Sequence, residues 1–296
     1  MLELKYQTVE LKGRGAKMAK ILTIGLVVIM LVVGFGVGLV ASPLISSQNT
    51  STTTDTVWNH IEKTGVIRVG TDPTWPPYEE LDNNQKIVGF EVDLANACAA
   101  QLNLTIDWQN VGFDNIILSV QQGQLDMGVS GFSITPARLD QVSFTIPHSN
   151  TLGEVIMLKS TMEAKNITSV NSLADLKTLG IVVGTQDGEI EQQELQAAGV
   201  SIRSWSDSVS SVQDMVSANP SVQAVYAETP ITDNWINLYA SQGIPIGVIY
   251  SHPYYPVAFL VAKGSHTLLD KMDGAIAQLI YEGTVTQLKA KWNCTG

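Results

Sequence analysis

The chain has 296 residues, of which 45% are hydrophobic and 15% charged, with a net charge of −11. That length supports one or two domains with a real core, and the balance of apolar to charged residues excludes a disordered chain. Residues 57–296 carry 12 Lys and Arg against 25 Asp and Glu, so the body repels nucleic acid, and no basic stripe provides an exception.

Residues 21–41 form an uncharged apolar run preceded by Lys12, Arg14, Lys17 and Lys20. At ~1.5 Å rise per residue such a run spans the ~30 Å hydrocarbon core of a bilayer. The basic flank keeps residues 1–20 cytoplasmic, so 21–41 reads as a single-pass membrane anchor with the remainder extracellular. The rival reading is a cleaved signal peptide, whose apolar region normally spans only about 7–15 residues. Pro43 stands where cleavage after Ser42 would need a permissive residue, and no Cys follows the run as a lipid acceptor. Residues 42–56, rich in Ser and Thr, read as a flexible tether.

Beyond the tether a short helix is predicted over 58–63. One pattern then recurs: an apolar strand, a small or polar turn, and a helical stretch. Strands are predicted over 66–70, 125–130, 181–184 and 222–227, each short and apolar on both faces, as parallel strands covered by helices are. Helical periods follow over 92–102, 115–122, 189–198 and 211–218. This alternation indicates an α/β fold. The strands run into Thr71-Asp72, Gly131 to Ser133, Thr185 to Asp187, and Glu228. Ligands of open α/β sheets sit beyond the carboxyl ends of the strands, so four polar strand ends predict one convergent cleft.

The two cysteines, Cys98 and Cys294, face an exterior that permits a disulfide. The alternative is that Cys98 is a small core residue, because Leu94, Cys98 and Leu102 share one helical face. The four His are scattered, and neither a Ser-His-Asp order, a metal-ligand spacing nor a phosphate loop is present, so nothing predicts a metal, a cofactor or nucleophilic catalysis.

Six segments then appear in order: VIRVGTDPTWPPYEE (66–80), GFEVDLANACAAQL (89–102), FDNIILSVQQGQLDMGVSGFSITPAR (113–138), LGIVVGTQDG (179–188), VQAVYAETP (222–230) and LVAKGSHTLLDKMDGAIAQLIYEGTVTQLKAKW (260–292). Together they resemble the polar amino-acid receptors of ABC importers, small members of the type II periplasmic-binding-protein fold, over about residues 57–293. The resemblance implies two lobes, 57–153 with 257–296 and 154–256. Each would have a mixed, mostly parallel sheet, and two crossing strands near 153–158 and 256–261 would form the hinge.

The resemblance also assigns roles. Arg138 matches the guanidinium that grips an amino acid's α-carboxylate bidentately, helped by N–H groups of Ser130, Gly131, Phe132 and Ser133. The competing reading pairs Arg138 with Asp140. Thr185 and Gln186, with Asp187 less central, match the second-lobe loop that closes on the same carboxylate. Asp187 as a plain helix cap is the alternative. Glu228 stands where the family usually has an Asp that holds the α-ammonium group. Asp72, Trp75 and Phe113, with Tyr78 beside them, match an acid and an aromatic wall around the ligand side chain, although any one of these aromatics is equally a core residue.

The expected function is therefore extracytoplasmic capture of a polar amino acid, basic or amide, by hinge closure, with delivery to an ABC permease. A dehydratase of the prephenate or arogenate type, with Glu228 as general acid, and a sensory ectodomain acting through a partner are the alternatives.

Overall fold

The computed structural model describes residues 55–294. The expected cytoplasmic stretch (1–20), the anchor (21–41) and nearly all of the tether (42–56) lie outside the described residues. Among the described residues no helix is long and apolar enough to cross a membrane.

The Asp55 carboxylate accepts the Trp58 N–H at 3.0 Å and so starts α1 (Thr56–Thr64). Gly65, at φ 72°, ends that helix by returning its N–H to Ile61, a conformation that favours glycine. Then follow β1 (Val66–Thr71), the hairpin-like β2 (Thr74–Trp75), β3 (Glu79–Leu81) and β4 (Ile87–Val88), α2 (Phe90–Gln101), β5 (Thr105–Asn110), α3 (Phe113–Gln121), β6 (Met127–Gly128), α4 (Pro136–Leu139) and β7 (Val142–Phe144). The second lobe runs through β8 (Ser149–Leu158), α5 (Lys159–Lys165), α6 (Leu173–Thr178), β9 (Val182–Gln186), α7 (Ile190–Ala197), β10 (Ser201–Trp205), α8 (Ser208–Val216), β11 (Ala224–Glu228), α9 (Ile231–Ser241) and β12 (Ile246–Val257). The chain returns through β13 (Leu260–Ala262), α10 (His266–Tyr281) and α11 (Thr284–Lys291).

Two five-stranded sheets result, β5-β1-β6-β13-β7 and β10-β9-β11-β8-β12, with a small sheet β2-β3-β4 beside the first. Ile67 and Val69 of β1, Phe90, Leu94 and Cys98 of α2, and Met272 and Ile276 of α10 are fully buried together. In the second lobe Val155, Met157, Val183, Ala224 and Tyr226 form a comparable core. The hydrophobic effect fixes each helix against its sheet through these faces.

The expectation of mostly parallel sheets needs correction. In the first sheet β1 pairs in parallel with β5 and β6, but β13 is antiparallel to β6 and β7. In the second, β9 is parallel to β10 and β11, but β8 is antiparallel to β11 and β12. The cause is the crossover: β8 and β13 each enter their sheet from the other lobe and run antiparallel to the neighbours they pair with there.

The crossings also shift. The chain leaves the first sheet after Phe144 and joins the second at Ser149, and it returns between Val257 and Leu260. The stretch expected as a crossing, 153–158, lies wholly inside the second sheet. The two links are tied by His148 N–H to Val257 O (3.1 Å) and Thr145 N–H to Phe259 O (2.9 Å).

The Cys98–Cys294 pairing is not formed: both are buried free thiols. Both thiols lie in the same buried core cluster, in keeping with the reading of Cys98 as a small core residue.

Candidate functional site

The carboxyl ends of β1, β6, β9 and β11 meet between the lobes. The first lobe supplies Asp72 after β1 and residues 130–133 after β6. The second supplies Thr185 and Gln186 at the end of β9 and Glu228 at the end of β11. The lobes are shut on one another. Gln186 Nε2 donates to Asp72 Oδ2 at 3.0 Å, Ser208 Oγ to Thr74 O at 3.2 Å, Ser133 Oγ to Glu228 Oε1 at 2.5 Å, and Arg138 Nη2 to Gly188 O at 3.2 Å.

The cavity between them is lined by Trp75, Gly131, Thr185, Gln186 and Glu228 from the sequence-based set, together with Glu189, Glu191, Ser208, Ser211, Tyr226 and Ala227. Trp75 lies flat enough on Gly131 that a Cβ there would come within 2.6 Å of its ring. With φ at 59°, glycine is required at 131 on both counts. Asp72, Phe113 and Ser130 line an adjoining crevice with Thr74, Glu79 and Glu189.

Arg138 follows the Thr135 cap, whose hydroxyl accepts the Arg138 N–H at 3.2 Å. Its guanidinium lies 5.3 Å from the Phe113 ring centre and 5.4 Å from that of Phe132, and the two rings stack at 4.6 Å. This cation–π seat fixes the fork at the cleft margin. Its N–H groups reach Ser133 O (3.0 Å), Gly188 O and the Glu189 carboxylate (3.4 Å). The carboxylate beside Arg138 is thus Glu189 of the second lobe and not Asp140.

Three expected residues turn elsewhere. Tyr78 backs Trp75 edge-on at 4.6 Å and shares a 2.6 Å hydrogen bond with Ser149 on the crossing link. Phe113 stacks on Phe132 and does not line the main cavity, but shares the adjoining crevice with Trp75. Asp187 accepts from Gln192 Nε2 at 2.8 Å, along α7 and away from the cavity; the cap position of that helix belongs to Glu189.

The cleft is acidic. Burial pushes Glu228 up to about 7, against the pull of the Ser133 and Thr151 hydroxyls and of Arg138. Burial pushes Glu189 up to about 8, with Arg138 opposing. Glu191 is raised well above the carboxylate range by burial and by the repulsion of Glu228 and Glu189. Asp72 is also raised by burial, while hydrogen bonds from Thr74, the Phe113 N–H and Gln186 oppose the shift.

Behind the cleft, Glu91 Oε2 accepts the Gly131 N–H at 2.8 Å, and its Oε1 pairs with His148 Nε2 at 2.7 Å. Both side chains are fully buried, so the ligand loop is tied to the crossing link. Among the described residues no group of three or more His, Cys, Asp or Glu is placed to hold a metal ion.

Sequence reasoning missed Glu189, Glu191, Ser208, Ser211 and Tyr226. Glu189 and Glu191 follow the GTQDG loop directly, and that proximity was the available signal.

With this geometry in place, the sequence profile of the bacterial extracellular solute-binding proteins, family 3, matches residues 67–295. The chain belongs to that family. The ABC transporter arginine-binding protein 1 of Escherichia coli (strain K12) is 28% identical over 228 residues, covering 76% of this chain and 90% of the relative. The L-cystine-binding protein TcyJ of the same strain is 23% identical over 258 residues, 86% of this chain and 93% of the relative. Among solved structures, an ancestral arginine-binding protein bound to arginine is 30% identical with a TM-score of 0.69, over 77% of this chain and 98% of that one. These relatives are named as binding proteins, not as enzymes. The binding domain of this family 3 protein is extracytoplasmic, as the family description states.

Proposed function

We propose that this solute-binding protein captures a polar amino acid, basic or amide, by hinge closure and hands it to an ABC permease, with residues 21–41 as its membrane anchor. The observation that carries this reading is the pairing of Ser133 with Glu228 across the cleft: acceptor and donor groups from opposite lobes converge where a zwitterion must be gripped from both sides. Arg138 takes the α-carboxylate as a bidentate fork, displacing Glu189 from it, and Thr185 completes the grip from the second lobe. Glu228 accepts the α-ammonium. The ligand thus contacts both lobes at once, so it stabilises the closed form. The arginine- and cystine-binding names of the relatives support an amino-acid ligand.

The test is a thermal-shift and calorimetric screen of the protein against the proteinogenic amino acids. One or a few should bind, and Arg138→Ala should abolish that binding. A protein that binds none of them sinks the reading.

A further inference from the structure

The cavity is lined by three carboxyl groups, Glu189, Glu191 and Glu228, and by no basic side chain. Two of them are engaged. Glu228 accepts from Ser133 and from Thr151 through its two oxygens, and Glu189 pairs with Arg138. Glu191 differs. It is 2% exposed, yet its Oε1 has no hydrogen-bond partner. The Thr185 hydroxyl, 1% exposed on the same cavity wall, is equally unpartnered. Buried polar atoms are almost always satisfied, because leaving one bare forfeits its hydration with nothing in return. Two orphans on one cavity wall therefore mark a place completed by something that arrives from outside.

The first-lobe acid that family resemblance points to for reading the side chain, Asp72, is not free for it. Its Oδ2 already receives the Phe113 N–H at 3.2 Å and Gln186 Nε2 at 3.0 Å. An α-amino acid held by Arg138 and Glu228 leaves its side chain to meet the remaining wall. A neutral amide could donate a hydrogen bond to Glu191 but would bring no charge to the acidic wall formed by Glu189, Glu191 and Glu228. A guanidinium or ammonium supplies both donor and charge.

We propose that Glu191, at the start of α7 in the second lobe, is the specificity-determining residue of the cleft, and that with Thr185 it selects an amino acid whose side chain is a cation. The inference rests on the amino-acid reading above and goes further by naming the ligand class and the residue that reads it.

Calorimetry on the full chain in detergent, comparing arginine and lysine with glutamine and with citrulline, the uncharged near-isostere of arginine, tests it. The wild-type protein should bind arginine or lysine at least about 100-fold more tightly than the neutral pair, because the neutral side chains can donate hydrogen bonds but bring no charge to the buried acidic wall. Glu191→Gln should weaken the cationic ligand by about tenfold or more while leaving citrulline binding in place, so that the preference collapses. Retained citrulline binding also shows that the variant is folded. Wild-type protein that binds citrulline or glutamine as tightly as arginine overturns the inference, as does a Glu191→Gln variant that loses both classes equally. A protein that binds no amino acid overturns the underlying reading itself.

Discussion

Gln186 of the second lobe donates to the Asp72 carboxylate of the first at 3.0 Å, deep in the shut cleft. The contact joins the two lobes directly, so it favours closure. Gln186→Ala should shift the ligand-free protein towards the open form, seen as a larger radius of gyration in small-angle scattering. It should also weaken ligand binding by roughly fivefold, in line with the ~1 kcal/mol net worth of one hydrogen bond. An unchanged scattering profile would count against a latch at this position.

Arg138 is gripped by two phenyl rings and by Glu189. Arg138→Ala should cost ~2–5 kcal/mol of ligand affinity. Arg138→Lys should retain part of it, since the charge survives but the fork does not. Glu189→Gln, which removes the internal rival for that fork, should tighten binding severalfold in calorimetry.

The buried carboxyl groups give an unusual pH dependence. Glu228 and Glu189, pushed by burial from about 4.5 to about 7 and about 8, keep their protons in the folded state over a range where the unfolded chain has released them. The folded state therefore binds more protons between about pH 4.5 and 8, and the stability of the ligand-free protein falls as pH rises through that window. Calorimetric melting at pH 5.5 and pH 8.5 should show the lower midpoint at pH 8.5. Glu228→Gln should flatten part of the slope.

Gly131 combines a φ of 59° with a Trp75 ring 2.6 Å from its missing Cβ. Gly131→Ala should destabilise the protein by roughly 1–3 kcal/mol through overpacking and backbone strain. It should also displace Trp75, visible as a change in tryptophan fluorescence together with weaker ligand binding.

The thiols of Cys98 and Cys294 are buried and each pushed up to about 12 by that burial. Thiolate is the reactive form, so a thiol reagent should titrate neither in the native protein and both after denaturation. Electrophoretic mobility should be the same with and without reductant.

Sequence reasoning reached the strand ends well. Asp72, Gly131, Thr185, Gln186 and Glu228 all border the cleft because a strand's position and its polar terminus are local properties, readable from an apolar run and the residue that breaks it. The long strands β8 and β12 were not legible as such. Their pairing spans nearly a hundred residues of chain, and SNTLGEVIML carries no clean alternation because it is buried on both faces in the second sheet and then crosses the hinge. Glu191 and Ser208 read as ordinary first-turn helix residues. For Glu191 the nearness of the GTQDG loop is the one local signal, whereas Ser208 is placed by its hydrogen bond to Thr74 O of the other lobe, 134 residues away in the chain, which no short window contains. For the cysteines the helical face shared by Leu94, Cys98 and Leu102 was the informative signal, since Cys98 is a buried free thiol.

In the first sheet, β13 lies between β6 and β7, although the whole of β8 to β12 separates it from β7 in the chain. The second sheet is built from one continuous stretch, Ser149 to Val257. A chain emerging from its N-terminus therefore exposes β6 and β7 with a gap between them until β13, Leu260–Ala262, has appeared. The second lobe can consolidate as an uninterrupted segment in the meantime. Truncation that reaches Leu260 removes an internal strand of the first sheet and leaves β7 without its neighbour.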